Sequence, residues 1–94
     1  MDKKYKVRYE TQKLTKGESI KSNGFSSITF RNLGDDNAVI LGDIPLNAHV
    51  AGDSYYDEFY LINRPGEIIE MNIPVNFAGT GTTPEILVIK TFYE

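Results

Sequence analysis

The feature of this sequence that most limits its fold is an alternation of apolar and polar residues with a period of two. The alternation is clearest over residues 69–77, where every second residue is apolar: Ile69, Met71, Ile73, Val75 and Phe77. Residues 4–11 repeat it, with charged residues between Tyr5, Val7 and Tyr9. Successive side chains of a β-strand point to opposite faces, so this pattern predicts strands whose apolar face is buried.

Further strands are predicted along the rest of the chain, separated by short polar turns. They cover residues 26–33, 38–44, 59–62 and 86–92. The last of these is apolar on both faces and rich in β-branched residues, which favours a central position in a sheet. Pro74 has no N–H to donate, so the strand that contains it is predicted to lie at a sheet edge or to carry a bulge.

Short strands separated by frequent turns are typical of antiparallel sandwiches and barrels. We therefore predict an all-β fold, a small antiparallel β-sandwich or a jelly-roll-like barrel of about seven strands. A chain of 94 residues is the size of one domain, so residues 1–94 are predicted to form a single β-sandwich domain. The chain has no cysteine, and small domains without disulfides or metals often gain stability by oligomerising or docking on a partner.

The charges are unevenly divided along the chain. Residues 1–21 carry seven basic and three acidic residues, whereas the remainder carries three basic and ten acidic residues. A basic end of this kind could dock on an acidic partner, although a solvated charged strand face would give the same pattern. The chain is acidic overall and contains no stacking platform among its basic residues, so we expect no nucleic-acid partner. No apolar run approaches a membrane span of about 20 residues, so we expect no membrane partner and accumulation in the cytosol.

Few residues of this chain could carry catalysis or hold a cofactor. His49 is the only histidine, and without cysteine no Cys–His pair can form. The carboxylates of residues 53–58 lack the alternating oxygen ligands of a calcium loop, and Asp35 and Asp36 read only as turn residues. The glycine-rich stretch over residues 78–84 lacks the Gly-Lys-Ser/Thr ending of a phosphate loop and is predicted to be a flexible connection. We therefore predict that the protein is not an enzyme, and assign no catalytic, cofactor-binding or metal-binding residue.

A cluster of aromatic residues lies in the least regular part of the chain, at Tyr55, Tyr56, Phe59 and Tyr60. Tyrosine is enriched at protein interfaces because it combines a large apolar area with a hydroxyl group. The cluster predicts a protein-interaction surface, although the same residues could pack only within the domain. The candidate interface residues are Tyr55, Tyr56, Tyr60 and Arg64, with Lys4, Lys6 and Arg8 of the basic first strand as a second candidate.

Several short segments resemble a known family when their order and spacing are taken together. They are residues 24–34, which end in Asn32-Leu33-Gly34, and then residues 38–42, 65–68, 73–77 and 85–90. In order and spacing they are similar to small β-sandwich virion proteins of tailed bacteriophages, notably auxiliary capsid or head-decoration proteins of the crAss-like kind. The resemblance implies a non-enzymatic structural protein that is assembled in the host cytoplasm and carried in the virion. Its partner would be a major capsid or other virion protein, in a multi-copy assembly or homo-oligomer.

A second function remains open on the sequence alone. A small β-sandwich can also be a carbohydrate- or ligand-binding module, in which aromatic, Asp and Asn side chains recognise a sugar. The chain has no tryptophan, the side chain that most often provides a stacking platform for sugars.

Overall fold

The computed structural model describes residues 6–94, and this part of the chain forms eight β-strands and no helix. The strands are β1 (Val7–Leu14), β2 (Glu18–Ile20), β3 (Ser27–Asn32), β4 (Ala38–Ile40), β5 (Ile44–Leu46), β6 (Glu58–Ile62), β7 (Ile73–Phe77) and β8 (Ile86–Tyr93). They form two antiparallel sheets, which confirms the predicted all-β sandwich.

The strand order is that of a jelly roll. The first sheet has the order β1-β8-β3-β6 and the second has the order β2-β7-β4-β5. Pairs therefore form from the outside of the chain inward, β1 with β8, β2 with β7, β3 with β6 and β4 with β5. This is one long antiparallel hairpin rolled up so that its successive strand pairs alternate between the two sheets, which defines the jelly roll.

The structure has eight strands where about seven were predicted. The strand predicted over residues 38–44 is two strands, and β2 lies where no strand was predicted. The backbone reverses at Leu41 and Gly42, which have φ angles of 57° and 80°. The Asp43 N–H donates to the Ile40 carbonyl at 3.3 Å. Two successive residues with positive φ make the tight reversal that joins β4 to β5, whose register pairs Ile40 with Ile44. The apolar character of this segment concealed the turn from the sequence pattern.

The core lies between the two sheets and is closed at one end by cations over aromatic rings. Phe25 and Phe92 meet edge to face, with ring centroids 6.5 Å apart. The Arg8 guanidinium lies 4.1 Å from the centroid of the Phe92 ring, and Lys90 Nζ lies 5.6 Å from that of Phe25. The buried apolar side chains come from both sheets: Leu14, Ile20, Phe25, Ile28, Phe30, Ala38, Ile40, Leu46, Ile69, Ile73, Val75, Ile86, Val88 and Phe92.

The predicted orientation of β1 is wrong. Val7 and Tyr9 were expected to face the core, but they are 46% and 66% exposed, and Tyr5 lies outside the described residues. The buried residue of β1 is Leu14, which lies opposite Ile86. Because side chains alternate, Leu14 places the even-numbered residues of β1, including Arg8, on the core side and the odd-numbered residues on the outside.

Of the two alternatives predicted for the strand that contains Pro74, a sheet edge or a bulge, the sheet edge is wrong. β7 lies between β2 and β4 in the second sheet. Pro74 is tolerated there because it lies beyond the last residue of β4, which pairs Ile40 with Val75, and its carbonyl accepts the Leu41 N–H at 3.0 Å. The alternation over residues 69–77 is only partly strand, since Met71 precedes β7 and is exposed.

Asn32, the last residue of β3, is fully buried and is satisfied by three hydrogen bonds. Its Nδ2 donates to the Asp36 carbonyl at 2.8 Å and to the Leu46 carbonyl at 3.0 Å, and its Oδ1 accepts the Gly34 N–H at 3.1 Å. An amide that satisfies main-chain groups in the interior fixes the turn that follows it. A side chain at Gly34 would overlap the main chain of Thr83 and Glu85, so this turn packs directly on the chain segment before β8.

The loop over residues 78–84 was predicted to be a flexible connection, but two aspartates of the turn between β3 and β4 anchor it. The buried Asp36 carboxylate accepts the N–H groups of Gly79 and Thr80, at 3.0 and 3.2 Å. The exposed Asp35 carboxylate accepts the N–H and hydroxyl of Thr82, at 3.1 and 2.7 Å, and the Thr83 N–H at 2.6 Å. Asp35 and Asp36 therefore tie the β3–β4 turn to the β7–β8 loop.

Candidate protein-interaction surface

One face of the first sheet points away from the second sheet and is formed by the odd-numbered residues of β1, β3 and β8 and the even-numbered residues of β6. We call it the outer face. Strand register arranges its side chains in rows. Three successive rows consist of Val7–Tyr93, Tyr9–Thr91–Ser27–Ile62 and Thr11–Ile89–Thr29–Tyr60. None of these ten side chains is charged, so the outer face offers a broad surface of apolar and hydroxyl groups.

The outer face concentrates the exposed apolar side chains of the described residues. Eight large apolar side chains are exposed within residues 6–94, and four of them are Val7, Tyr9, Tyr60 and Ile62. Tyr60 is 59% exposed and Ile62 is 70% exposed. The four side chains form two pairs, one on β1 and one on β6, which uncharged residues of β8 and β3 connect across the sheet. Single exposed apolar residues are ordinary, but a grouped set is characteristic of an interaction site. The arrangement points to binding a complementary surface.

The next row of the outer face, at one end of it, is mostly charged. It consists of Lys13, Leu87, Arg31 and Glu58, taken across the sheet from β1 to β6. Arg31 donates to Glu58 at 3.0 Å, and Lys13 pairs with Glu85 at 2.9 Å. A polar rim around an apolar centre is the usual composition of a protein–protein interface.

A shallow pocket of about 320 Å³ adjoins the outer face at the end of β6. Its lining is mainly apolar: Leu61, Ile62, Asn63, Ile68, Ile69, Glu70 and Met71. Ile68 and Met71 are exposed at its rim. A pocket of this size can take an apolar side chain, and its single ionisable group offers no acid–base pair for catalysis. The pocket therefore extends the apolar surface beyond Ile62.

The tyrosines predicted to form one cluster lie in different places. Tyr60 is on the outer face, whereas Tyr55 and Tyr56 belong to the irregular segment before β6. Tyr56 is half-buried and stacks on His49, with ring centroids 3.9 Å apart and planes 7° from parallel. Tyr55 is exposed and its hydroxyl lies 3.4 Å from Asp57 Oδ1. Tyr56 approaches the charged row, since Arg31 Cζ is 5.9 Å from its ring centroid.

The predicted basic interface residues lie at the opposite end of the first sheet from Tyr56. Arg64 is exposed in the turn after β6, where its carbonyl accepts the Glu67 N–H at 3.0 Å. Lys6 and Arg8 are exposed at the start of β1, and Lys4 lies outside the described residues. Arg8 pairs with Glu94 at 2.9 Å and with Glu10. Hydrogen bonds to Glu94 and then to Glu10 raise the pKa of the Arg8 guanidinium above its usual value.

His49 holds a loop and faces no nucleophile among the described residues. The His49 ring Nε2 lies 2.7 Å from the Asp53 carbonyl oxygen. The main-chain N–H of His49 donates to the Gly34 carbonyl at 2.8 Å. Within residues 6–94, no group of three or more His, Asp and Glu side chains is arranged to hold a metal ion. No helix in this part of the chain is long and apolar enough to cross a membrane.

The sequence pattern missed Val7, Tyr9 and Ile62 as surface residues, because an apolar residue in an alternating strand is first expected in the core. The odd and even positions along β1 could have revealed their outward orientation. Leu14 ends the same strand, and a strand that buries Leu14 must turn Val7 and Tyr9 outward.

Comparisons with known proteins leave this surface without a template. No protein-family model matches the chain, and neither the curated proteins nor the solved structures contain a match to it.

Proposed function

We propose that the protein is a non-enzymatic structural subunit that binds a protein partner through the outer face. The observation that carries the proposal is the set of three uncharged rows, in which Tyr9, Tyr60 and Ile62 are each more than half exposed. Tyrosine and apolar side chains on a rigid sheet lose little conformational entropy on binding and bury large areas. Such residues form the centre of most protein–protein interfaces.

We further propose that the partner is a virion protein and that the chain is an accessory subunit of a tailed bacteriophage. It would be an auxiliary capsid or head- or tail-associated protein, assembled in the host cytoplasm in many copies. Two observations support this: the resemblance over residues 24–90, and the jelly-roll strand order, which recurs in viral capsid proteins. Because one fold serves many functions, these two observations support the virion assignment less strongly than the outer face supports binding to a protein partner.

Site-specific photo-cross-linking in assembled particles tests both proposals. A photoreactive residue is placed at Ile62 on the outer face in one variant and at Asp43 in the β4–β5 turn in a control variant. Both positions are exposed, but Asp43 belongs to the second sheet's side of the molecule. Particles are isolated by density gradient, irradiated and analysed by mass spectrometry.

We expect the chain to sediment with the particles and to be cross-linked from Ile62 to one virion protein, with little product from Asp43. A chain that stays in the soluble fraction would overturn the virion proposal. Equal cross-linking from both positions would overturn the outer face as the binding surface. A glycan-array signal that a charged substitution at Tyr60 abolishes, in a chain that does not sediment with particles, would favour the carbohydrate-binding alternative instead.

A further inference from the structure

The edge of the first sheet formed by β1 is the longest free strand edge of the described structure. β1 has eight residues and lies at the end of the strand order, whereas β2 and β5, the edge strands of the second sheet, have three residues each. Residues 7–11 of β1 are exposed on both of their faces. A second strand can therefore approach this part of the edge without meeting the second sheet.

The main-chain groups along this edge can be assigned from the register of β1 and β8. Lys6 and Glu94 exchange both of their main-chain hydrogen bonds, at 3.1 and 2.8 Å. In an antiparallel ladder such pairs alternate, so every even-numbered residue of β1 bonds to β8. The N–H and C=O groups of Val7, Tyr9 and Thr11 therefore point away from the sheet, and no strand within residues 6–94 pairs with them.

The charges beside this edge are self-complementary. Arg8 and Glu10 lie two residues apart on the same face of β1. When two copies of β1 run antiparallel about a two-fold axis at Tyr9, Arg8 of each copy lies opposite Glu10 of the other. The same register pairs Val7 with Thr11 and Tyr9 with Tyr9. A shift that centres the axis on residue 10 would instead place two Glu10 side chains opposite each other, which is unfavourable.

We propose that two copies of this chain pair through the β1 edge, with Arg8 opposite Glu10 in both directions. The pairing forms about six main-chain hydrogen bonds, because residues 7, 9 and 11 of each strand meet in hydrogen-bonded pairs. It joins the two first sheets into one eight-stranded sheet and brings the two outer faces side by side at Tyr9. Strand addition at a free edge is a common mode of protein association.

The other edge of the first sheet fits a second copy less well. Two antiparallel β6 strands would carry only Glu58 as a charged residue, with no base on the same strand to oppose it. A head-to-tail contact of β1 with β6 would place Arg8 and Glu10 beside the core-side residues Phe59 and Leu61. Charges on an edge strand normally prevent such association, and the two-fold pairing at β1 is the arrangement that places each Arg8 opposite a Glu10.

Mixing of two charge variants tests the pairing by sedimentation equilibrium from micromolar to millimolar concentration. We expect the wild-type chain to form a concentration-dependent dimer. Arg8→Glu leaves two acids on the strand and Glu10→Arg leaves two bases, so each variant alone should dimerise at least about tenfold more weakly. An equimolar mixture of the two should form a heterodimer, because each acidic strand then meets a basic one.

Arg8 also covers Phe92 and pairs with Glu94, so its loss will lower stability, but a purely structural role would not be restored by mixing. A second variant, Thr11→Pro, removes an N–H that points away from β8 and should abolish the dimer while the domain stays folded. Thr11→Val keeps that N–H and should dimerise as wild type does. A wild-type chain that is monomeric at millimolar concentration, a mixture that fails to associate, or a Thr11→Pro variant that dimerises normally would each overturn the proposal.

This pairing uses the strand edge and not the surface of the outer face. The substitutions at Arg8 and Glu10 lie on the opposite side of β1 from Tyr9. Binding to a virion partner and self-pairing can therefore fail independently of each other.

Discussion

At the scale of single residues, the two aspartates of the β3–β4 turn each anchor a neighbouring loop through their carboxylates. Their positions decide what they do. Asp35 and Asp36 are adjacent, yet one carboxylate is exposed and the other is buried, and each accepts hydrogen bonds from a different part of the 78–83 loop. A carboxylate that accepts several N–H and O–H bonds is favoured in its charged form.

The hydrogen bond from the Thr83 main chain, followed by those from Thr82, holds the pKa of Asp35 below its ordinary value of 3.8. A carboxyl whose pKa is lower in the folded than in the unfolded state stabilises the fold above the unfolded pKa. That stabilisation is lost as the pH falls through the folded pKa. We therefore expect Asp35→Asn to lower the free energy of unfolding at pH 7, and the difference from wild type to shrink below about pH 4.

Urea unfolding of both proteins between neutral pH and the acid limit of the fold measures this difference. Asp43→Asn is the matched control, because it removes one negative charge from an exposed turn that does not contact the 78–83 loop. A deficit of Asp35→Asn that stays constant down to the lowest pH would contradict the assignment, as would an equal effect of Asp43→Asn.

At the scale of elements, sequence alone predicted where strands form better than which way they face. β3, β6 and β8 were expected close to where they occur, and β8 is central in its sheet as its apolar character indicated. Alternation is a local property of the sequence, so it indicates a strand without knowledge of the fold. The choice of face is not local, because it depends on which residue of a strand reaches the core, and in β1 that residue is Leu14.

Most of the candidate surface could not be predicted for the same reason, because its residues are not neighbours in the sequence. Of the predicted interface residues within 6–94, the structure brings only Tyr60 to the outer face, where it joins Val7, Tyr9 and Ile62 from distant parts of the chain. Tyr55 and Tyr56 are close to Tyr60 in sequence, but they lie in the irregular segment before β6 and Tyr60 lies within the strand. Neighbours across a sheet are set by register, which one sequence does not reveal.

The orientation of β1 makes a direct prediction about stability. Leu14→Ala should cost about 2–5 kcal/mol, because it leaves a cavity in a closely packed core. Tyr9→Ser should change the free energy of unfolding by less than about 0.5 kcal/mol, because the side chain is 66% exposed and lies on the outer face. Chemical denaturation at low protein concentration, where the chain is monomeric, measures both. A Tyr9→Ser variant as unstable as Leu14→Ala would show that Tyr9 faces the core, as the alternation predicted.

At the scale of the whole molecule, the jelly roll pairs the two ends of the described chain. β1 and β8 are neighbours over their full length, and Lys6 and Glu94 are paired at its end. Forming this pair closes a loop of nearly the entire chain, and such nonlocal pairing makes all-β domains fold slowly, in milliseconds to seconds. The topology therefore predicts that connectivity, and not the strength of any one contact, limits the rate of folding.

A circular permutant isolates that effect, because it changes connectivity and keeps the contacts. Glu94 is joined to Met1 through a short Gly/Ser linker, and the chain is opened between Gly52 and Asp53 in an exposed turn. The β1–β8 pair then becomes a local hairpin, and β3–β8 and β2–β7 also come closer in sequence, whereas only β3–β6 and β4–β7 move apart. We expect stopped-flow refolding to be several-fold faster than for the original order, with the same circular dichroism spectrum. A permutant with the native spectrum that refolds no faster would show that β1–β8 closure does not limit folding, and would place the slow step in the β3–β6 or β4–β7 pairs that the permutation lengthens.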